Sequence, residues 1–227
     1  MLTGRFKLIL ILCFMFAQMI GLKAMCQTGQ QTSDETDYQK LAPLLTVVRD
    51  SGVSVWIEYH GSCMAESPHD IPLRLRFGPT EKNPKTDAVS KVRTILRENE
   101  NLLISSTALG VINVNTTSVW SPLLNVRLNN LKLHGAELYN PSLAIAAAIR
   151  ASQASWENLH TTPLSTFNSL LGELPTKGRP HLKQSAKYFT LNDLLIDVSQ
   201  TFRGVLIYKE CSLEDGTHVF DISFYRQ

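Results

Sequence analysis

The chain has 227 residues, with 22 Lys or Arg against 20 Asp or Glu, 44% hydrophobic residues and a mean hydropathy of −0.04. That length suffices for one large domain or two small ones with a sizeable core. A net charge of +2 with no clustered basic face excludes the footprint of a nucleic-acid binder, because Lys82, Lys85 and Lys91 to Arg97 are interleaved with Glu81, Asp87, Glu98 and Glu100.

At the N-terminus Arg5 and Lys7 precede an apolar run from Leu8 to Ala17 that closes near Leu22-Lys23-Ala24, the form of a cleaved secretory signal over residues 1–24. Counted from Leu8 to Leu22 the apolar stretch has 15 residues, short of the roughly 20 that cross a bilayer. An uncleaved anchor is therefore the poorer fit, and no stable membrane span is expected after cleavage. A lipid anchor at Cys26 fits poorly too, since Lys23 and Met25 stand where such signals carry other residues. Cleavage after Ala24 and after Cys26 both remain open. The expected address is outside the cytoplasm, periplasmic or extracellular. Arg5, Lys7 and Lys23 leave with residues 1–24, which hold no acid, so 19 basic residues face 20 acidic ones and the net charge falls to −1.

Residues 25–37 read as a flexible lead, polar from Gln27 to Thr36. Tyr38, Leu41, Leu44, Leu45 and Val48 then recur at helical steps before Gly52, with Pro43 placing the helix start near itself. Val53, Val55 and Ile57 alternate with polar or aromatic neighbours as in a strand, and Ile71, Leu73, Leu75 and Phe77 predict a second. A helix is expected from Ala88 to Leu96, capped by Thr86 or Asp87, and then a strand pair, Leu102–Ile104 and Val111–Val114, turning at Ala108–Gly110.

Residues 38–118 thus read as helix, strand, strand, helix, strand, strand, an α+β pattern of small sheets covered by helices. Leu41, Leu44, Leu45, Val48, Gly52, Val53 and Val55, then Leu73 and Leu75, then Ile95, Leu96, Asn101, Leu102, Gly110, Val111 and Ile112 carry a likeness over residues 38–115. On these positions the chain resembles the secretin and TonB short N-terminal domain family, although its loops at 60–70 and 78–86 are longer. The resemblance implies a short envelope interaction domain, and no secretin pore or transmembrane barrel is read in this chain.

The second half, residues 119–227, either forms its own α+β unit or shares one core with the first. Leu124 to Leu133 alternates like strand. One helix is expected to open at Asn140-Pro141 and another at Thr162-Pro163, the latter carrying Leu164, Phe167, Leu170 and Leu171. Leu191, Leu194, Leu195 and Val198 repeat the spacing of the first helix, under a Thr190–Asp193 cap and before Gly204. Val205–Tyr208 and Val219–Tyr225 read as a hairpin around Asp215-Gly216. Residues 190–225 therefore echo the opening of the first half as a weak internal repeat.

Cys63 and Cys211 are the two thiols certain to remain after signal removal, and an oxidising compartment predicts that they pair. Closing a loop of that length is worth about 5 kcal/mol in the chain-entropy model. Two buried free thiols are the competing reading.

His60-Gly61-Ser62-Cys63 is the densest cluster of reactive side chains, with His69 and Asp70 close by in sequence. A Cys-His nucleophile there, or a metal site adding His218, lacks both paired ligand spacing and a nucleophile motif. No catalytic, cofactor-binding or metal-binding residue is assigned. Asn115-Thr116-Thr117 satisfies a glycosylation sequon, and Trp56, Trp120 and Trp156 are expected in the core rather than on a contact surface. The expected function is that of an exported, non-catalytic interaction module contacting an envelope protein or a cell-surface polymer. A secreted hydrolase using residues around His60 to Asp70 is the alternative.

Overall fold

The computed structural model describes residues 38–61, 63, 71–79, 86–118, 121–159, 161–163, 178–184 and 187–226. The signal and lead expected over residues 1–37 lie outside them. The chain divides into two compact units, Met1–Lys40 and Leu41–Gln227, and the fold described here is that of the second.

A helix over residues 38–51, α1, leads into β1 (Ser54–His60). The helix is already formed before Pro43. A proline there deletes a bond only to the carbonyl of Gln39, which is exposed and open to water. Gly52, with φ of 65°, ends the helix by donating its N–H to Val48. There follow α2 (Ala88–Leu96), β2 (Leu103–Ser106), β3 (Val111–Asn115), a short 3-10 turn (Pro122–Asn125), α3 (Ala136–Tyr139) and α4 (Pro141–Glu157). The chain closes with β4 (Thr161–Pro163), α5 (Leu191–Phe202), β5 (Val205–Ser212) and β6 (His218–Tyr225).

The caps are those the sequence encodes. Asp87 accepts from the Ser90 N–H, Asn140 from Ser142 and Leu143 ahead of Pro141, and Thr190 forms a reciprocal capping box with Asp193. Gly204 lies where an added Cβ would meet the Tyr225 carbonyl and the Phe224 ring, so β5 approaches β6 closely only because no side chain intervenes.

The protein is α+β, and the small sheets expected of its halves are continuous. They form one six-stranded sheet in the order β2-β3-β1-β5-β6-β4. β3, β1 and β5 run parallel, while β2 and β6 pair antiparallel to their inner neighbours. The sequence echo becomes adjacency in space. Val55 pairs with Val205, Trp56 with Leu206 and Ile57 with Ile207, an offset of 150 positions that also relates buried Leu41, Leu44, Leu45 and Val48 to Leu191, Leu194, Leu195 and Val198.

Strand alternation divides the core. Trp56, Val111, Leu206, Tyr208, Phe220, Ile222 and Phe224 pack with the 3-10 turn, α4 and α5 on one face, and the Ser54 hydroxyl donates to the Ser199 carbonyl of α5. Val55, Ile57, Ile112, Val114 and Ile207 point the other way. They are buried, as are Leu41, Leu44 and Leu45 of α1 and Val92, Ile95 and Leu96 of α2. Trp56 and Trp156 are both in the first core, and Trp120 lies outside the described residues.

Three expected elements differ. Residues 71–79 form no strand. Both long sides of β1 are already occupied by β3 and β5, and the segment is satisfied by α2 and the turn after it instead. Asn99 accepts from the Arg76 N–H and donates to its carbonyl, and the Gly78 N–H reaches Ile95. Its alternation marks only which side is buried, with Ile71 and Leu73 inside.

Leu124 to Leu133 makes a single bridge, Arg127 to Thr190, after the 3-10 turn. The opposing segment enters α5 at Thr190, so no ladder can extend. Thr161–Pro163 is an edge strand on β6 rather than a helix start, a position that tolerates proline. The helix expected at Leu164 to Leu171 lies outside the described residues.

Candidate functional site

The chain leaving β1 passes through α2, whose C-terminal neighbours share a cleft with Tyr59, whereas the chain leaving β3 passes through α4 and α5 on the Trp56 face. Adjacent parallel strands thus send their connections to opposite faces, the arrangement that opens a crevice beyond the strand C-termini of α/β sheets. A cleft of about 410 Å³ lies there, lined by Tyr59, Arg74, Arg76, Glu98, Glu100 and Thr116 among others.

Behind it the ends of β1 and β5 carry a buried polar network. Glu58 and His60 share one side of β1, Tyr208 and Glu210 occupy the register positions beside them on β5, and His218 begins β6. Glu58 and Glu210 are 2% and 5% exposed, so their charges must be met by nearby donors. His60 Nε2 lies 3.0 Å from Glu58 Oε1, which also accepts the Ser121 N–H at 3.3 Å. His60 Nδ1 faces Glu210 Oε2 at 3.9 Å.

Glu210 accepts the Tyr208 hydroxyl on Oε2 at 2.7 Å, and its Oε1 meets His218 Nδ1 at 2.7 Å. The phenol spends its only proton on Glu210, so the Ser121 hydroxyl, 2.8 Å away, must donate to it. Ser121 Oγ in turn accepts from the Leu123 N–H and caps the 3-10 turn. Burial, and then the adjacent Glu210 charge, hold the Tyr208 phenol well above the ordinary tyrosine range. On the opposite face Lys209 and Asp221 form a second buried ion pair at 3.0 Å, and Ser223 donates to the same carboxylate.

Of the residues singled out from the sequence, Cys63 and Cys211 are disulfide-bonded across 148 positions. The bridge fits an oxidising, exported setting. His60 and His218 meet the two oxygens of one carboxylate, Glu210. His69 and Asp70 lie outside the described residues. Asn115 ends β3, half-buried, opposite Glu58 and Leu103. Among the described residues no three His, Cys, Asp or Glu side chains gather so as to hold a metal ion, and no helix is long and apolar enough to cross a membrane.

Glu58, Tyr208, Glu210 and Ser121 were missed from the sequence. Their signal is the spacing Glu58-x-His60 and Tyr208-x-Glu210 within otherwise apolar strands, which puts polar groups on one face of buried neighbours.

A second feature lies at the outer strand. The Thr107 N–H bonds the Val111 carbonyl, so by antiparallel alternation Leu103 and Ser105 address β3 while Ile104 and Ser106 turn their backbone groups outward. Arg93 donates to the Ile104 carbonyl at 3.2 Å. From Asn101 to Val126 the sequence has no charged residue, and Leu103 and Leu109 are 53% and 65% exposed. Charged or proline gatekeepers normally blunt such an edge. No known protein family, characterised protein or solved structure matches this chain.

Proposed function

We propose that this is an exported, non-catalytic interaction module, periplasmic or extracellular after signal removal, that contacts an envelope protein or a cell-surface polymer. The observation that carries the reading is the outer strand β2, which has no charged residue of its own and turns the backbone groups of Ile104 and Ser106 outward. An edge of this kind recruits an extended segment by strand addition, main-chain bonds supplying affinity. That mode favours a protein partner over a polymer. The resemblance to short envelope interaction domains points the same way.

The hydrolase reading is weaker on two counts. Cys63 is bonded to Cys211 and offers no thiolate. His60 Nε2 is engaged by Glu58 at 3.0 Å, and among the described residues no nucleophilic side chain is bonded to its ring.

The test is a photo-crosslinking side chain placed at Ser105 and, as a control, at exposed Asn158, in cells that make the full chain. A defined envelope-protein adduct from Ser105 and none from Asn158 supports the reading. Equal labelling from both positions, or no adduct of any kind from Ser105, a second copy of this chain included, overturns it. Fractionation of the same cells checks the address, since the processed chain is expected outside the cytoplasm.

A further inference from the structure

We propose that the β2 edge pairs with the same edge of a second copy of this chain, antiparallel, about a two-fold axis passing beside Ser105. The inference rests on reading β2 as the docking edge and adds the identity of an occupant. Four observations lead to it.

First, the outward groups are self-complementary. With the axis at Ser105, Ile104 faces Ser106 of the partner subunit and Ser106 faces the partner's Ile104. Each pair exchanges two main-chain bonds, as bonded antiparallel pairs do. Such isologous contacts are the commonest closed form of assembly.

Second, the charges permit it. In this register Leu103 faces the partner's Thr107, Asn101 faces the partner's Leu109, and Glu100 faces the partner's Gly110. No charged residue of the strand meets a like charge, the strand and hairpin tip being uncharged from Asn101 onward, and the nearest cation is Arg93, already bonded to Ile104. A partner of strong charge would find no counter-ion on this strand, whereas a second copy needs none.

Third, the exposed leucines gain cover. Leu103 and Leu109 stand beside the edge, and pairing brings the partner's β2 and hairpin tip against them.

Fourth, the one bond to the edge among the described residues is compatible with pairing. Arg93 donates a single bond to the Ile104 carbonyl, which has a second lone pair for the partner's Ser106 N–H. Among the described residues the opposite edge of the sheet offers only the three residues of β4, ending on Pro163.

Ser105 is exposed, so its substitution leaves the core untouched while placing two identical side chains opposite each other at the axis, in a close non-bonded pair. Light scattering on the processed, disulfide-bonded protein over a concentration series is expected to show a dimer. Ser105→Lys and Ser105→Glu should each weaken association roughly tenfold or more, because like charges meet. An equal mixture of the two variants should restore it, which also shows that both are folded.

A wild-type protein that stays monomeric throughout overturns self-pairing, as does a dimer indifferent to Ser105→Lys. If the monomer still yields an envelope adduct from Ser105, the docking edge stands and only its occupant changes. If neither dimer nor adduct forms, both readings fall.

Discussion

The middle strands β1, β5 and β6 bury Glu58, Lys209, Glu210 and Asp221, whereas the outer strand β2 exposes most of its length without one charged side chain. This inverts the usual distribution, in which charges coat exposed edges and are scarce inside. Charge in the middle is tolerated because each group has a partner supplied by its own or a neighbouring strand: His60, His218 and Tyr208 for the glutamates, Lys209 for Asp221. At the edge, the main-chain groups of Ile104 and Ser106 point outward, and among the described residues only Arg93, donating to the Ile104 carbonyl, meets one of them. In the centre the buried charges are met by partners on the same or neighbouring strands, whereas the outer strand carries no charge of its own.

Breaking the centre should have the largest effects. Cys63→Ala with Cys211→Ala releases the link between the chain beyond β1 and the end of β5. The expected loss is about 2–5 kcal/mol in denaturant unfolding, at the upper end if the long loop governs it. Lys209→Met removes the cation from a pair whose side chains are each 9% exposed, and should cost about 3–5 kcal/mol. The double variant Lys209→Met with Asp221→Leu should recover most of that loss, because no uncompensated charge remains.

Tyr208→Phe is the gentler break. It deprives Glu210 of a donor and Ser121 of an acceptor, an expected loss of about 1–3 kcal/mol. It also carries a pH signature. The native state holds the Tyr208 proton more tightly than the unfolded chain does, so this contribution is complete below about pH 10 and falls as pH rises past that ordinary phenol value. The Tyr208→Phe substitution should therefore flatten the alkaline decline of stability without abolishing it. Tyr188, raised by burial and by its bond to Asp197, keeps a share.

Sharpening the edge should be nearly neutral for folding. Ser105→Lys changes the stability of the monomer by less than about 0.5 kcal/mol, as at other exposed positions, while weakening self-association roughly tenfold or more. Equal thermal midpoints at a concentration low enough to keep the wild type monomeric, beside different association at high concentration, would separate margin from core.

Much of this sheet was legible in advance. The caps at Asn140 and Thr190 carried their chemistry in two or three adjacent residues, and the 150-residue spacing between helix–strand pairs proved to be the register of β1 against β5. Alternation misled where it was read as pairing. At Ile71 to Phe77 and Leu124 to Leu133 it reports which side of an extended chain is buried, and whether a ladder forms depends on a free neighbouring edge, which one sequence does not display. The disulfide followed from compartment and count, but the carboxylates gathered around His60 did not. Glu210 stands 150 positions from His60 and meets it only through strand order. The outer edge was invisible for the same reason: being outermost is a property of the whole sheet.

Residue-resolved amide hydrogen exchange at low and high concentration tests the docking edge most directly. The Ile104 and Ser106 amides should exchange fast in dilute protein and slow markedly as concentration rises, while Ser105, bonded to β3, stays protected throughout. Fast exchange at Ile104 and Ser106 at every concentration, unchanged by added envelope extract, would contradict the account.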